Sequence, residues 1–129
     1  MSKKLQNAAK RGWLITNDGS EQIYIVAWDV NNLDKLSPRV GFNYEEWARF
    51  VFTFSSPYLR AYKNGVEIGT GTHVGAWMPE PSTVPFMIGR AWLANYYKGY
   101  MALPFMSEPL SKAQVMNDYL NTKSLFAPR

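Results

Sequence analysis

The chain has 129 residues, 47% of them hydrophobic and 19% charged, which suits one self-contained core and is too apolar for a disordered segment. It has no cysteine, which excludes disulfides, thiolate catalysis and cysteine-held metals. Its net charge of +4 comes without the basic face and motif that nucleic-acid binding needs, and no apolar run is long enough to span a bilayer.

Aromatic residues reach 16%, a composition that favours pleated, half-buried surfaces and hence β-structure. Residues 1–11 carry Lys3, Lys4, Lys10 and Arg11 and read as a basic arm or short helix ahead of a domain over residues 12–129. No apolar stretch follows these charges, so no secretory leader is expected. The run "GWLITNDGSEQIYIVAWDV" predicts two strands about the turn Asn17-Asp18-Gly19-Ser20. Its second half is apolar on both faces, as in a strand inside a sandwich. "NNLDKLSPRVGFN" reads as loop, with a short strand near Arg39–Phe42.

"EEWARFVFTFSS" then alternates with period two. Trp47, Arg49, Val51 and Thr53 form one row, with Arg49 and Thr53 marking the wetter side, and Phe50, Phe52 and Phe54 line the other. In "YLRAYKNGVEIGTG" the pair Asn64-Gly65 predicts a two-residue hairpin turn, because both residues tolerate positive φ. That register sets Lys63 opposite Val66, Tyr62 opposite Glu67 and Ala61 opposite Ile68, with Ala61 and Ile68 on the expected core face. A Gly/Pro-rich stretch follows, then the expected strands "VPFMIG" and "NYYKGYMALPFM". The period then changes. Leu110, Val115, Met116, Tyr119 and Leu120 fit helical spacing, and Ser111 with Gln114 makes a capping box at the start.

The order of "EEWARFVFTF", "YLRAYKNGVEIG", "PFMIGR", "YYKGYMALPFM" and "EPLSKAQVMNDYL" resembles the laminin-G-like branch of the concanavalin A-like lectin/glucanase superfamily. The resemblance covers about Trp47 to Leu120 and, more loosely, Gly12 to Trp28. It implies an all-β, antiparallel jelly-roll β-sandwich with one short C-terminal helix. Two departures stand out. Ala48 occupies the place after Trp47 where many relatives have His, and relatives commonly carry further strands before the segment that starts here at Gly12. The second departure implies an edge covered by a neighbouring chain.

The superfamily includes glucanases, whose carboxylates follow a Glu-x-Asp-x-Glu pattern on one strand. No Glu here has an Asp two residues later, and Glu45 and Glu46 are adjacent, so they would face opposite sides of a strand. The expectation is therefore no catalytic residue and no enzyme. The single His73, in "GTHVG", reads as a loop residue. Calcium is the ion the resemblance suggests. Its densest oxygen cluster, Asp29, Asn31, Asn32 and Asp34, reads more simply as Asx turns, so no metal or cofactor is expected.

Exposed aromatics in loops remain. Trp77 and Trp92 are read first as protein-interface residues, together with Lys3, Lys4, Lys10, Arg11, Phe126 and Arg129. Trp77 and Trp92 with Tyr96 and Tyr97 form the alternative, a sugar platform. The functional expectation is a non-catalytic virion component, a phage capsid decoration or tail appendage made in the host cytoplasm. It would bind other virion proteins as an oligomer or assembly member, with no nucleic acid or membrane as partner. The alternative is a carbohydrate-binding adhesion module for glycans.

Overall fold

The computed structural model describes residues 2–4, 12–17, 20–28, 34–73, 90–91, 95–96, 100–102 and 104–126. Strands dominate. The first sheet has five: β1 (Ser2–Lys4), β2 (Gly12–Asn17), β3 (Gln22–Trp28), β4 (Asp34–Leu36) and β5 (Val40–Gly41). Their order is β1-β2-β3-β4, with β5 also paired to β3, all antiparallel. β3 is thus the central strand. Its successive residues Val26 and Ala27 are both buried, so both of its faces are covered, as the two-sided apolar pattern predicts.

The basic start differs from the expected helix or free arm. Ser2 lies opposite Leu14 and Lys4 opposite Gly12, so Lys3 and Lys4 belong to an edge strand. Strand pairing needs only backbone groups, which is why the composition of residues 2–4 did not announce it. Lysines on an edge also discourage a further strand from adding there.

The second sheet is a meander of β6 (Phe50–Ser55), β7 (Tyr58–Lys63) and β8 (Val66–Thr72). A turn with a cis Ser56-Pro57 bond joins β6 to β7. Asn64-Gly65 joins β7 to β8 at φ 51° and 82°, the left-handed pair that the sequence demands. A short antiparallel pair, β9 (Arg90–Ala91) and β10 (Asn95–Tyr96), forms a third sheet. Helix α1 (Lys112–Thr122) and a 3-10 turn (Lys123–Leu125) follow. The expected strand over "VPFMIG" lies outside the described residues. Among the described residues of the expected strand "NYYKGYMALPFM", only Asn95–Tyr96 pairs, and residues 100–102 and 104–106 are irregular and mostly exposed.

The hairpin turn is fixed from two directions. Asn64 Oδ1 accepts from the Arg49 amide at 2.9 Å, and the Asn64 amide donates to the Arg49 carbonyl at 2.8 Å. On the other side α1 presses on Gly65. A Cβ there would sit 2.8 Å from Met116 Sδ and 3.2 Å from Tyr119 Cβ. Glycine is therefore required both for its φ and for the closeness of the helix.

Two faces of the second sheet follow from its registers. Phe50, Phe52 and Phe54 share one face with Leu59 and Ala61. This face turns to the first sheet: Phe42, just after β5, meets Phe50 edge-on at 6.3 Å, and a Cβ on Gly69 would touch Pro38. Val51, Thr53, Arg60 and Tyr62 share the opposite face, and α1 covers its upper part. There Val51, Tyr62 and Val115 form a buried cluster with Leu110 packed against it, and Tyr62 is only 1% exposed. The molecule is three layers deep: sheet, sheet, helix.

This corrects two expectations. Val51 and Thr53 are the buried residues of β6 and the three phenylalanines are half-buried; the helix seals Val51 in the row that looked wetter. The register also shifts beyond Tyr62↔Glu67, so Ala61 lies opposite Gly69 instead of Ile68. Ile68 is the extra residue of a β-bulge and is 49% exposed. Pro38 approaches closely at that place, so a Cβ there would crowd it at 3.1 Å, which favours glycine.

Helix α1 starts as the sequence predicts. Gln114 donates its amide to Ser111 Oγ at 3.3 Å, and Ser111 donates its own to Gln114 Oε1 at 2.8 Å. Val115 is fully buried and Met116 and Tyr119 are half-buried, whereas Leu120 is exposed on the outer side.

Candidate functional site

The end of the molecule where α1 finishes gathers exposed apolar side chains. Trp47 precedes β6 in a turn closed by the Glu46 amide donating to the Asn43 carbonyl. It lies outside the strand that the alternation assigned it to and is 51% exposed. Its ring stacks on Phe126 at 4.9 Å, so the C-terminal segment folds back onto the lead-in to β6. Two residues on, the Arg49 guanidinium lies 4.9 Å over the Phe105 ring. It also donates twice to the Asp118 carboxylate, at 2.9 and 3.2 Å. Arg49 thus ties β6, the irregular segment and α1 together. Tyr44, Tyr100, Met106 and Leu125 are also exposed.

The carboxylates nearby are bound to cations. Lys63 Nζ lies 2.7 Å from Glu46 Oε1, and Lys112 Nζ lies 2.6 Å from Glu67 Oε2. The hydrogen bond from Lys63 holds Glu46 below the ordinary carboxylate range, and the one from Lys112, helped by Thr70, does the same for Glu67. A glycosidic general acid needs its pKa raised, so both groups are tuned the wrong way for that task. His73 directly follows β8, and its amide donates to the Pro57 carbonyl at 2.8 Å. Among the described residues no group of three His, Asp or Glu is placed to hold a metal ion.

The residues singled out from sequence fall in three places. Lys3 and Lys4 lie on β1, at the far end of the first sheet, and Tyr96 lies on β10. Phe126 is half-buried against Trp47. Lys10, Arg11, Trp77, Trp92, Tyr97 and Arg129 lie outside the described residues, as do Asp29, Asn31 and Asn32. Sequence reasoning missed Trp47 and Phe105 as surface residues. Trp47 and Arg49 fit a strand alternation that starts only at Phe50. The available signal was Asn43 to Glu46, a polar run typical of a turn.

No curated protein and no solved structure matches the chain. The family profile Laminin_G_3, described as the concanavalin A-like lectin/glucanases superfamily, matches residues 2–116, from β1 into α1. That span includes both sheets, the hairpin and the buried Val115, and it begins ahead of the segment at Gly12 where the motifs alone had placed the domain's start. With a match over most of its length, and with sheets that pack face to face, the chain belongs to the Laminin_G_3 family of the concanavalin A-like superfamily.

Proposed function

We propose that this chain is a non-catalytic interaction module that docks on another protein through the surface around Trp47. We further propose that it serves as a virion component, a capsid decoration or tail appendage. The observation that carries the docking reading is the half-exposed Trp47 stacked on Phe126, beside Phe105 and Arg49. Tryptophan, tyrosine and arginine dominate the binding energy of protein interfaces. Here the rings are held in place before any partner arrives, which lowers the ordering cost of association. The local carboxylates are neutralised by Lys63 and Arg49, so covering this surface would strand no charge of theirs.

A superfamily shared by lectins and interaction modules supports a binding role of this kind. Lack of cysteine supports a module that does not depend on disulfides, as a protein assembled in a host cytoplasm must not. The test is co-sedimentation of the purified chain with shells and tails of its own source. Binding that Trp47→Ala weakens by about tenfold or more supports the proposal. A monodisperse monomer with no affinity for shells or tails overturns it. A glycan array run with Trp77→Ala and Trp92→Ala variants separates the adhesion alternative, because only that reading expects binding that either substitution abolishes.

A further inference from the structure

The last described residues form a strap across the Trp47 surface. Helix α1 ends at Thr122, and the 3-10 turn Lys123–Leu125 brings the chain round to Phe126. The hydrogen bonds of this stretch are local. The Lys123 amide donates to the Tyr119 carbonyl, and the Phe126 amide donates to the Lys123 carbonyl at 3.3 Å. Among the described residues, no hydrogen bond or ion pair joins residues 124–126 to a strand. Leu125, the other large apolar side chain of the strap, is 65% exposed. The contact that ties the strap to the lead-in of β6 is the Phe126 ring on the Trp47 ring, 4.9 Å apart and 28° from parallel.

The body of the fold does not need this contact. The buried cluster of Val51, Tyr62 and Val115 is complete without it. The family match ends at residue 116, so the strap lies beyond the part of the chain that the profile shares. Its neighbours are held more firmly. Arg49 makes two bonds to Asp118, and Trp47 sits in the turn closed between Asn43 and Glu46. A ring pair shifts an equilibrium by only about tenfold or less, so Phe126 can lift while Trp47 and Arg49 stay in place. Phe126 also shows what the surface accepts: a planar ring, laid nearly parallel to Trp47, on a segment that pairs with no strand.

We propose that Phe126 stands in for the partner: the Trp47 ring receives an aromatic side chain of the docking protein, and the strap lifts to admit it. This rests on the docking reading above and adds to it the partner's chemistry and a self-occupied state of the surface. The closed strap lowers the apparent affinity by the fraction of chains that hold it closed.

The test uses the full chain and the co-sedimentation with shells and tails. Phe126→Leu keeps the apolar bulk and removes the ring. It docks about three- to tenfold more tightly than the parent chain. Adding Trp47→Leu to Phe126→Leu then loses about three- to tenfold, because the partner's ring has nothing to stack on. Urea unfolding of Phe126→Leu stays close to the parent's, and the indole N–H resonance of Trp47, identified by its loss in Trp47→Ala, moves when the Phe126 ring is removed. Where the parent docks, equal or weaker docking by Phe126→Leu overturns the strap and leaves the docking reading standing. Undiminished docking by the double variant overturns the aromatic partner. A Phe126→Leu chain that no longer folds makes the segment structural and also overturns the strap. No sedimentation of either the parent or Phe126→Leu overturns the docking reading, and this inference with it.

Discussion

The two halves of one sheet face behave differently although the same three strands build both. Under α1, Val51, Tyr62 and Val115 exclude water, and the hairpin turn is locked by Arg49 on one side and Met116 on the other. Toward the Pro57 end, the same strands present hydroxyls, a tyrosine and a stacked arginine to solvent. The backbone pairing continues through both halves, so pairing alone does not account for the difference. What differs is the third layer. The lesson is that a dry, helix-covered end and a solvated end are divided along the same strands.

Substitutions can break that division or sharpen it. The largest effect is expected from Tyr62→Ala, which empties the centre of the covered half. Loss of a buried aromatic costs about 3–5 kcal/mol, read as the drop in unfolding free energy in urea. Gly65→Ala should cost about 1–3 kcal/mol in the same measurement, because the added Cβ meets Met116 and the residue must keep a left-handed φ. A drop well under that range would show that α1 is free to shift away from the turn.

Smaller effects concern how the helix is held. Ser111→Ala removes the cap and should cost about 1 kcal/mol. Asp118→Asn, which weakens the pair with half-buried Arg49, should cost about 1 kcal/mol or less, with the loss reduced in high salt. Glu67 gives a pH test. Its pKa in the folded chain lies below the ordinary 4.5, so its contribution is complete above that value and is lost as pH falls through the folded pKa. Glu67→Gln should therefore flatten the acid limb of stability, while stability near neutral pH falls only slightly. A steeper acid limb in the variant would overturn the assignment. Least of all, Thr72→Val on the open half should change stability by no more than about 0.5 kcal/mol. A larger loss there would erase the division between the halves.

Much of the architecture was legible because local chemistry had one good solution. Asn64-Gly65 admits positive φ at both positions, and the structure uses both. Ser111 and Gln114 stand three apart before an apolar run, and both reciprocal bonds form. The two-sided apolar pattern of residues 23–28 made β3 a central strand. By contrast, the surface around Trp47 was hidden. Trp47 and Arg49 extend the alternation of β6 in sequence, yet the strand begins at Phe50, where pairing with Lys63 starts. Alternation reports which residues could share a face and is silent on where hydrogen bonding stops.

The sequence by itself determined the Asn64-Gly65 turn, the helix cap and the family, because each depends on a few neighbouring residues or on their order. Only the tertiary structure decided which face of β6 is dry, since Val51 is sealed by a helix some 60 residues away in the chain. It also decided the bulge at Ile68. A two-residue turn favours Ala61 opposite Ile68, but at that place a Cβ would crowd Pro38 at 3.1 Å, and glycine stands there instead. That one-residue shift turns the threonines of β8 outward beside Arg60. The open half-face is thus a product of packing between layers, which the spacing of residues along β8 could not reveal.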